Sequence, residues 1–197
     1  MRTPISRRQR LSTGAIILGA LCCVSAPTRA ASPQAPPLSQ IVVSVFEQVC
    51  AAKIGSQSAM DTWLGDHGFR PATAEAAAQL AKGAPGRVWL NGTPEGPFAV
   101  ITRPEGILCQ VMAPTVDPES TAQSFREGIA ALALPDRLEV HKQKDEDVEL
   151  AGIKGRRVTF HVAAIPANAG GFLFVLTVAP PRPGGVALLI TASRAAP

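Results

Sequence analysis

The chain has 197 residues, 19 of them basic and 15 acidic, with 46% hydrophobic residues and no tyrosine. The positive excess belongs to its start: residues 1–30 hold five arginines (Arg2, Arg7, Arg8, Arg10 and Arg29) and no acid, so the rest carries 14 basic and 15 acidic residues, a net of −1. No basic patch with interleaved aromatics remains, which excludes nucleic acid as the expected partner, and the size suits one domain.

Residues 1–30 read as a secretory signal peptide. A basic segment through Arg10 precedes an apolar run from Leu11 to Ala26, and Thr28-Arg29-Ala30 offers small residues before a cut at Ala31. Ser6-Arg7-Arg8 also fits the start of a twin-arginine signal. Cys22 and Cys23 follow Leu21 and Cys22, not the small residue a lipid-attachment site wants there. The protein is therefore expected in the periplasm or secreted, with no spanning segment after Ala30. Residues 31–38 read as a Pro-rich flexible leader and 39–197 as a single α+β domain. Only Cys50 and Cys109 remain after the cut, and an even pair in an exported chain favours a disulfide.

Ser39 has the chemistry of an N-cap for a helix ending near Lys53, with Ile41, Val42, Val45, Phe46, Val49 and Cys50 on one face. Ser58 begins a capping box for a second helix over 59–67, with Gly68 as its left-handed stop and Phe69 as the apolar contact after it. Thr73 to Lys82 is alanine-rich and helical by propensity. The period then changes. Val88–Leu90, Phe98–Thr102 and Ile107–Ala113 read as an antiparallel meander, with a turn region that starts at Asn91-Gly92 and extends to Gly96, and a turn at Arg103-Pro104-Glu105-Gly106. Asp117-Pro118 starts another helix, with Phe125, Ile129 and Leu132 on its buried face, and Pro135 stops it. Leu138 and Val140 open the last third. Residues 141–149 read as a charge-rich hairpin or loop, and residues 158–162 as a strand with a wet face. Phe172–Ala179 and Val186–Ala192 are apolar on both faces and so read as central strands. The expected fold is α+β: an antiparallel sheet of about six to seven strands with helices mainly on one face.

Two resemblances attach to these residues. Val45-Phe46-Glu47-Gln48-Val49-Cys50, the Val88-Trp89-Leu90 strand and Leu108-Cys109-Gln110-Val111 resemble a pattern in small secreted alphaproteobacterial proteins, over residues 45–114. That resemblance implies the Cys50–Cys109 bridge and no particular chemistry. Residues 97–192 resemble the PsbP-like fold: a meander, a helix with Phe125, the Leu150-Ala151-Gly152-Ile153-Lys154-Gly155-Arg156 start of a strand, then two long strands. Members of that fold are mostly accessory or binding proteins, which by analogy points away from catalysis.

The chain lacks G-x-S-x-G, a phosphate-binding glycine loop, H-E-x-x-H and C-x-x-C. Asp66-His67 could serve as a base for Cys50 only if that thiol is unbridged. His67, His141 and His161 are not spaced as ligands, and Asp145, Glu146, Asp147 and Glu149 lack an EF-hand pattern. No catalytic residue, metal or cofactor is therefore nominated. Arg156, Arg157, Thr159 and His161 are candidates for a polar face toward a ligand or partner. Trp63, Trp89 and Phe125 are candidates for lining a pocket between sheet and helices. The expected function is a non-enzymatic accessory or protein-interaction module of the cell envelope. The alternative is a small-ligand-binding module.

Overall fold

A computed structural model describes residues 35–104, 107–134, 137–150, 152–164 and 170–195. The expected signal peptide, the first part of the leader and the Glu105-Gly106 half of the expected turn lie outside these residues.

Helix α1 (Leu38–Val45) runs directly into a π-helical turn, Phe46–Ala51. Ser39 is not the N-cap. The carbonyl of Pro37 accepts from the amides of Gln40 and Ile41, and Leu38 is already in the core, so the helix begins two residues earlier. Ser39 is buried, and its hydroxyl accepts from the Ser120 hydroxyl at 3.3 Å. The expected apolar face is kept, with Val42, Phe46, Val49 and Cys50 fully buried. Helix α2 (Gln57–Asp66) is capped by Ser56, two residues before the expected cap, whose hydroxyl accepts from the Ala59 amide. Gly68 does adopt positive φ (+79°), and the Phe69 amide reaches back to the Leu64 carbonyl. Helix α3 (Ala74–Leu80) starts at Thr73, which caps it through the Ala76 amide. Helix α4 (Pro118–Ala131) starts as expected, with the Asp117 carboxylate accepting from the Ser120 amide.

The strands are β1 (Arg70–Pro71), β2 (Arg87–Thr93), β3 (Gly96–Thr102), β4 (Leu108–Ala113), β5 (Leu138–Leu150), β6 (Ile153–Ala164), β7 (Gly171–Val178) and β8 (Leu188–Ala195). They form one antiparallel sheet of eight strands in the order β1-β2-β3-β4-β8-β7-β6-β5. The sheet is thus two meanders joined where β4 meets β8. The expected count was low because β1, only two residues long, carries no alternating pattern. Residues 141–149 are not a loop. They continue β5 because every residue of β6 from Ile153 to Ala164 finds a partner there. Strand β5 lies at the sheet's edge, where charged side chains and the irregular register between Lys142 and Lys144 discourage pairing with another chain. Asn91 and Gly92, the expected start of the turn region, lie within β2, and the reversal falls later in that region, at Pro94-Glu95.

Alternation along the strands defines two faces. Trp89, Val100, Val111, Ile190, Leu176 and Val158 form one row across the sheet. They share a core with α1, the π-turn, Met60 and Leu64 of α2, and Phe125 and Ile129 of α4. We call this face inner. Its centre is aromatic: the Phe46 ring lies 5.8 Å from Phe125 and 5.5 Å from Phe174, and Phe125 lies 5.9 Å from Phe160. On the outer face Val88, Ala99 and Ile101 form a smaller core with Ala77, Leu80 and Ala81 from α3 and the turn after it.

Cys50 and Cys109 are bridged, with Cα atoms 5.2 Å apart. The bridge ties the π-turn to β4, beside the strand junction. It closes a 59-residue separation, for which chain entropy predicts about 4 kcal/mol. Replacing both cysteines by alanine should lower urea-measured stability by about that amount, without altering the strand content seen by circular dichroism.

Where the π-helical turn meets α4, the Glu47 side chain occupies the space that a side chain at Gly128 would need. Burial there pushes the Glu47 carboxyl above its ordinary value. An acid whose pKa rises on folding favours the native state least where it is ionised, so its contribution declines as pH rises through that window. Glu47→Gln should therefore be at least as stable as the parent at pH 7. The two stability curves should converge as the pH drops below the ordinary carboxylate range.

Candidate functional site

Helices α1, α2 and α4 pack on the inner face and α3 covers only part of the outer one, so contact chemistry falls to the rest of the outer face and to the rims. At one end of the outer face lies an apolar groove of about 420 Å³. Leu80 of α3, Leu90 of β2, Pro97 of β3, Met112 of β4 and Val186 of the β7–β8 connection line it, with Asn91 contributing the polar group. Register builds its floor: Leu90 pairs with Ala99, Ala99 with Met112, and Met112 with Leu189. Leu90 and Val186 remain 37% and 44% exposed. None of these residues was singled out from the sequence. The available signal was that Phe172–Ala179 and Val186–Ala192 are apolar at both alternating positions, which leaves apolar side chains on whichever face has no cover.

The expected polar face is split by the sheet. Arg157, Thr159 and His161 point outward, whereas Arg156 points inward, where its Nε donates to Asp145 Oδ1 at 2.7 Å. Thr159 is nearly buried, and the His161 ring lies over Gly171, where a Cβ would come within 2.7 Å of its Nε2.

The three expected pocket aromatics occupy separate environments. Phe125 is fully buried within the phenylalanine cluster. Trp63 stacks on His67 with centroids 3.7 Å apart, beside a shallow cleft lined by Lys53, Thr62 and Asp66. Trp89 packs against the inner core, with its indole N–H buried and unpaired. The Asp66-His67 pair is not a dyad, because His67 Nδ1 faces the Trp63 carbonyl at 2.8 Å. Cys50 is held in the bridge and offers no thiolate.

A polar cleft of about 280 Å³ lies between the start of α2 and the β2–β3 pair, lined by Gln57, Gly86, Arg87, Thr102 and Pro104. Gln57 Nε2 donates to Asp61 Oδ1 and Thr102 Oγ1, and Asp61 also pairs with Arg87. Its polar groups bind mainly one another. Among the described residues, no group of three or more His, Cys, Asp or Glu side chains could hold a metal ion as the side chains stand. No helix of the described residues is long and apolar enough to cross a membrane.

The densest electrostatic cluster is Asp145, contacted by Arg156, by Arg126 of α4 at 3.1 Å and by Lys142 at 3.8 Å. The Arg156 hydrogen bond holds the Asp145 carboxyl below its ordinary value. The cluster fastens α4 to the edge hairpin and is a structural tie. Neither a protein-family model nor a curated protein sequence matches the chain.

A carboxylate whose pKa falls on folding adds stability above its unfolded pKa, and that stability is lost as pH falls through the folded value. Asp145→Asn should cost about 1–2 kcal/mol at pH 7. Its deficit in urea melts should shrink as the pH is lowered below the usual carboxylate range.

Proposed function

We propose that this chain is an exported, non-enzymatic accessory module of the cell envelope that receives an extended apolar segment of a partner protein in the outer-face groove. The observation that carries this reading is the groove itself, with its lining of Leu80, Leu90, Met112 and Val186. A backbone edge adjoins it. Strand β1 pairs with β2 only at Trp89 and Leu90, so Asn91–Thr93, paired with β3 on one side, have no strand on their other side among the described residues. An extended segment can hydrogen-bond to such an edge while alternate side chains enter the apolar pockets. Two further features support the reading: the signal-peptide pattern of residues 1–30 and the buried Cys50–Cys109 bridge, which belongs in an oxidising compartment. The resemblance of residues 97–192 to the PsbP-like fold points the same way.

A second reading, a small apolar ligand, is favoured by the groove's volume, which falls within the range of small-molecule sites.

A photo-reactive side chain at Val186 should crosslink one defined envelope protein, and Leu90→Asp should abolish that product without lowering the melting temperature. Crosslinking that persists in Leu90→Asp would refute the groove as the contact surface. Native mass spectrometry separates the two readings: a retained small molecule lost in Leu90→Asp selects the ligand, and a bare mass with a crosslinked partner selects the protein.

A further inference from the structure

The β5–β6 register brings together two histidines that lie 20 positions apart in the sequence. His141 pairs directly with His161. Strand alternation places Leu138 and Val140 on the inner face, packed against the core, so Glu139 and His141 project outward. His161 projects outward as well, between inner-facing Phe160 and Val162. Directly opposed side chains on antiparallel strands have Cβ atoms about 4.5–5.5 Å apart, a span that two imidazoles can close around one ion.

Part of the donor set is already gathered. His141 Nε2 stands 3.3 Å from Glu139 Oε1, with both side chains more than half exposed. Two donors held about 2.0–2.1 Å from a tetrahedral ion are separated by about 3.3–3.4 Å, so this nitrogen and oxygen already stand at ligand spacing. The His161 ring now leans the other way, over Gly171, whose missing side chain gives it room. A change of His161 rotamer from that position toward β5 would supply the third donor.

We propose that His141 and His161, assisted by Glu139, clip one divalent transition-metal ion on the outer face of the β5–β6 hairpin. Imidazole and carboxylate donors suit zinc, copper or nickel ions and disfavour calcium and magnesium, which prefer all-oxygen sites. The three donors face solvent on an edge hairpin, so an ion there would keep open positions for water or for a donor from another molecule. This reading is independent of the apolar groove, which lies toward the opposite edge of the sheet.

The chain has three histidines, which makes the test clean. Zinc ion alone is titrated into the full chain, disulfide intact and without a polyhistidine tag, in a non-coordinating buffer. Imidazole nitrogen resonances are followed by NMR and the heat by calorimetry. The expected result is one ion per chain, with the His141 and His161 resonances shifting together and His67 unmoved. Loss of even a residue that only supports a ligand costs metal sites about 10- to 100-fold in affinity, so His141→Ala and His161→Ala should each weaken binding by about tenfold or more. Both positions are outside the core, so the metal-free melting temperatures of the variants should match the parent. No saturable binding, binding unchanged in both variants, or loss in only one of them would overturn the clip. Magnesium ion at the same concentrations should leave all three resonances in place, and a matching response to it would equally overturn the assignment.

Discussion

The bond between Cys50 and Cys109 is placed where the fold has the most to hold together. Strand β4 finishes the first meander and β8 finishes the second, and their pairing joins segments some 80 residues apart, as between Gln110 and Thr191. Non-local pairing of this kind is slow to form, because chain entropy must be lost before the contacts repay it. Cys109 lies in β4, opposite Ala192 of β8, and its partner is carried by the turn that packs Phe46 against Phe125 and Phe174. One covalent tie therefore fixes the N-terminal helix, the seam of the sheet and the aromatic centre of the core relative to one another.

From that arrangement follows the asymmetry of the two faces. Leu38 through Cys50 and Ala122 through Ile129 cover the inner face from the first meander to the second. The Arg126–Asp145–Arg156 cluster then fastens the far end of that roof to the edge hairpin. On the other side α3 is short and reaches only β2 and its neighbours. Apolar side chains such as Met112 and Leu189, demanded by strands central to the sheet, are consequently left only partly buried. A sheet with one roofed and one partly bare face concentrates its capacity for contact on the bare one. In this chain that is where the proposed recognition groove and metal clip both lie, at opposite ends.

Much of this was legible in the residues. Asp117-Pro118, Gly68 and the apolar spacing of Val42, Phe46 and Val49 act locally, so their consequences appear in a short window. The errors arose where tertiary pairing overrode local character. Residues 141–149 carry the composition of a solvated loop, yet they extend β5 because β6 offers a continuous partner. Asn91-Gly92 has turn chemistry but is held straight by Phe98 and Pro97. Arg156 and Arg157 looked like one polar patch, although alternation sends neighbours to opposite faces. The groove and the His141–His161 opposition depend on register between strands distant in sequence, which no local pattern encodes.

The measurement that tests this account most directly is peptide mapping by mass spectrometry, without reductant, on protein recovered from its native cells. The account predicts an N-terminus at Ala31 and a linked pair of peptides containing Cys50 and Cys109, which separate only on reduction. A chain that retains Met1 and whose Cys50 and Cys109 are both free thiols would contradict it, because neither export nor the covalent tie at the seam could then stand.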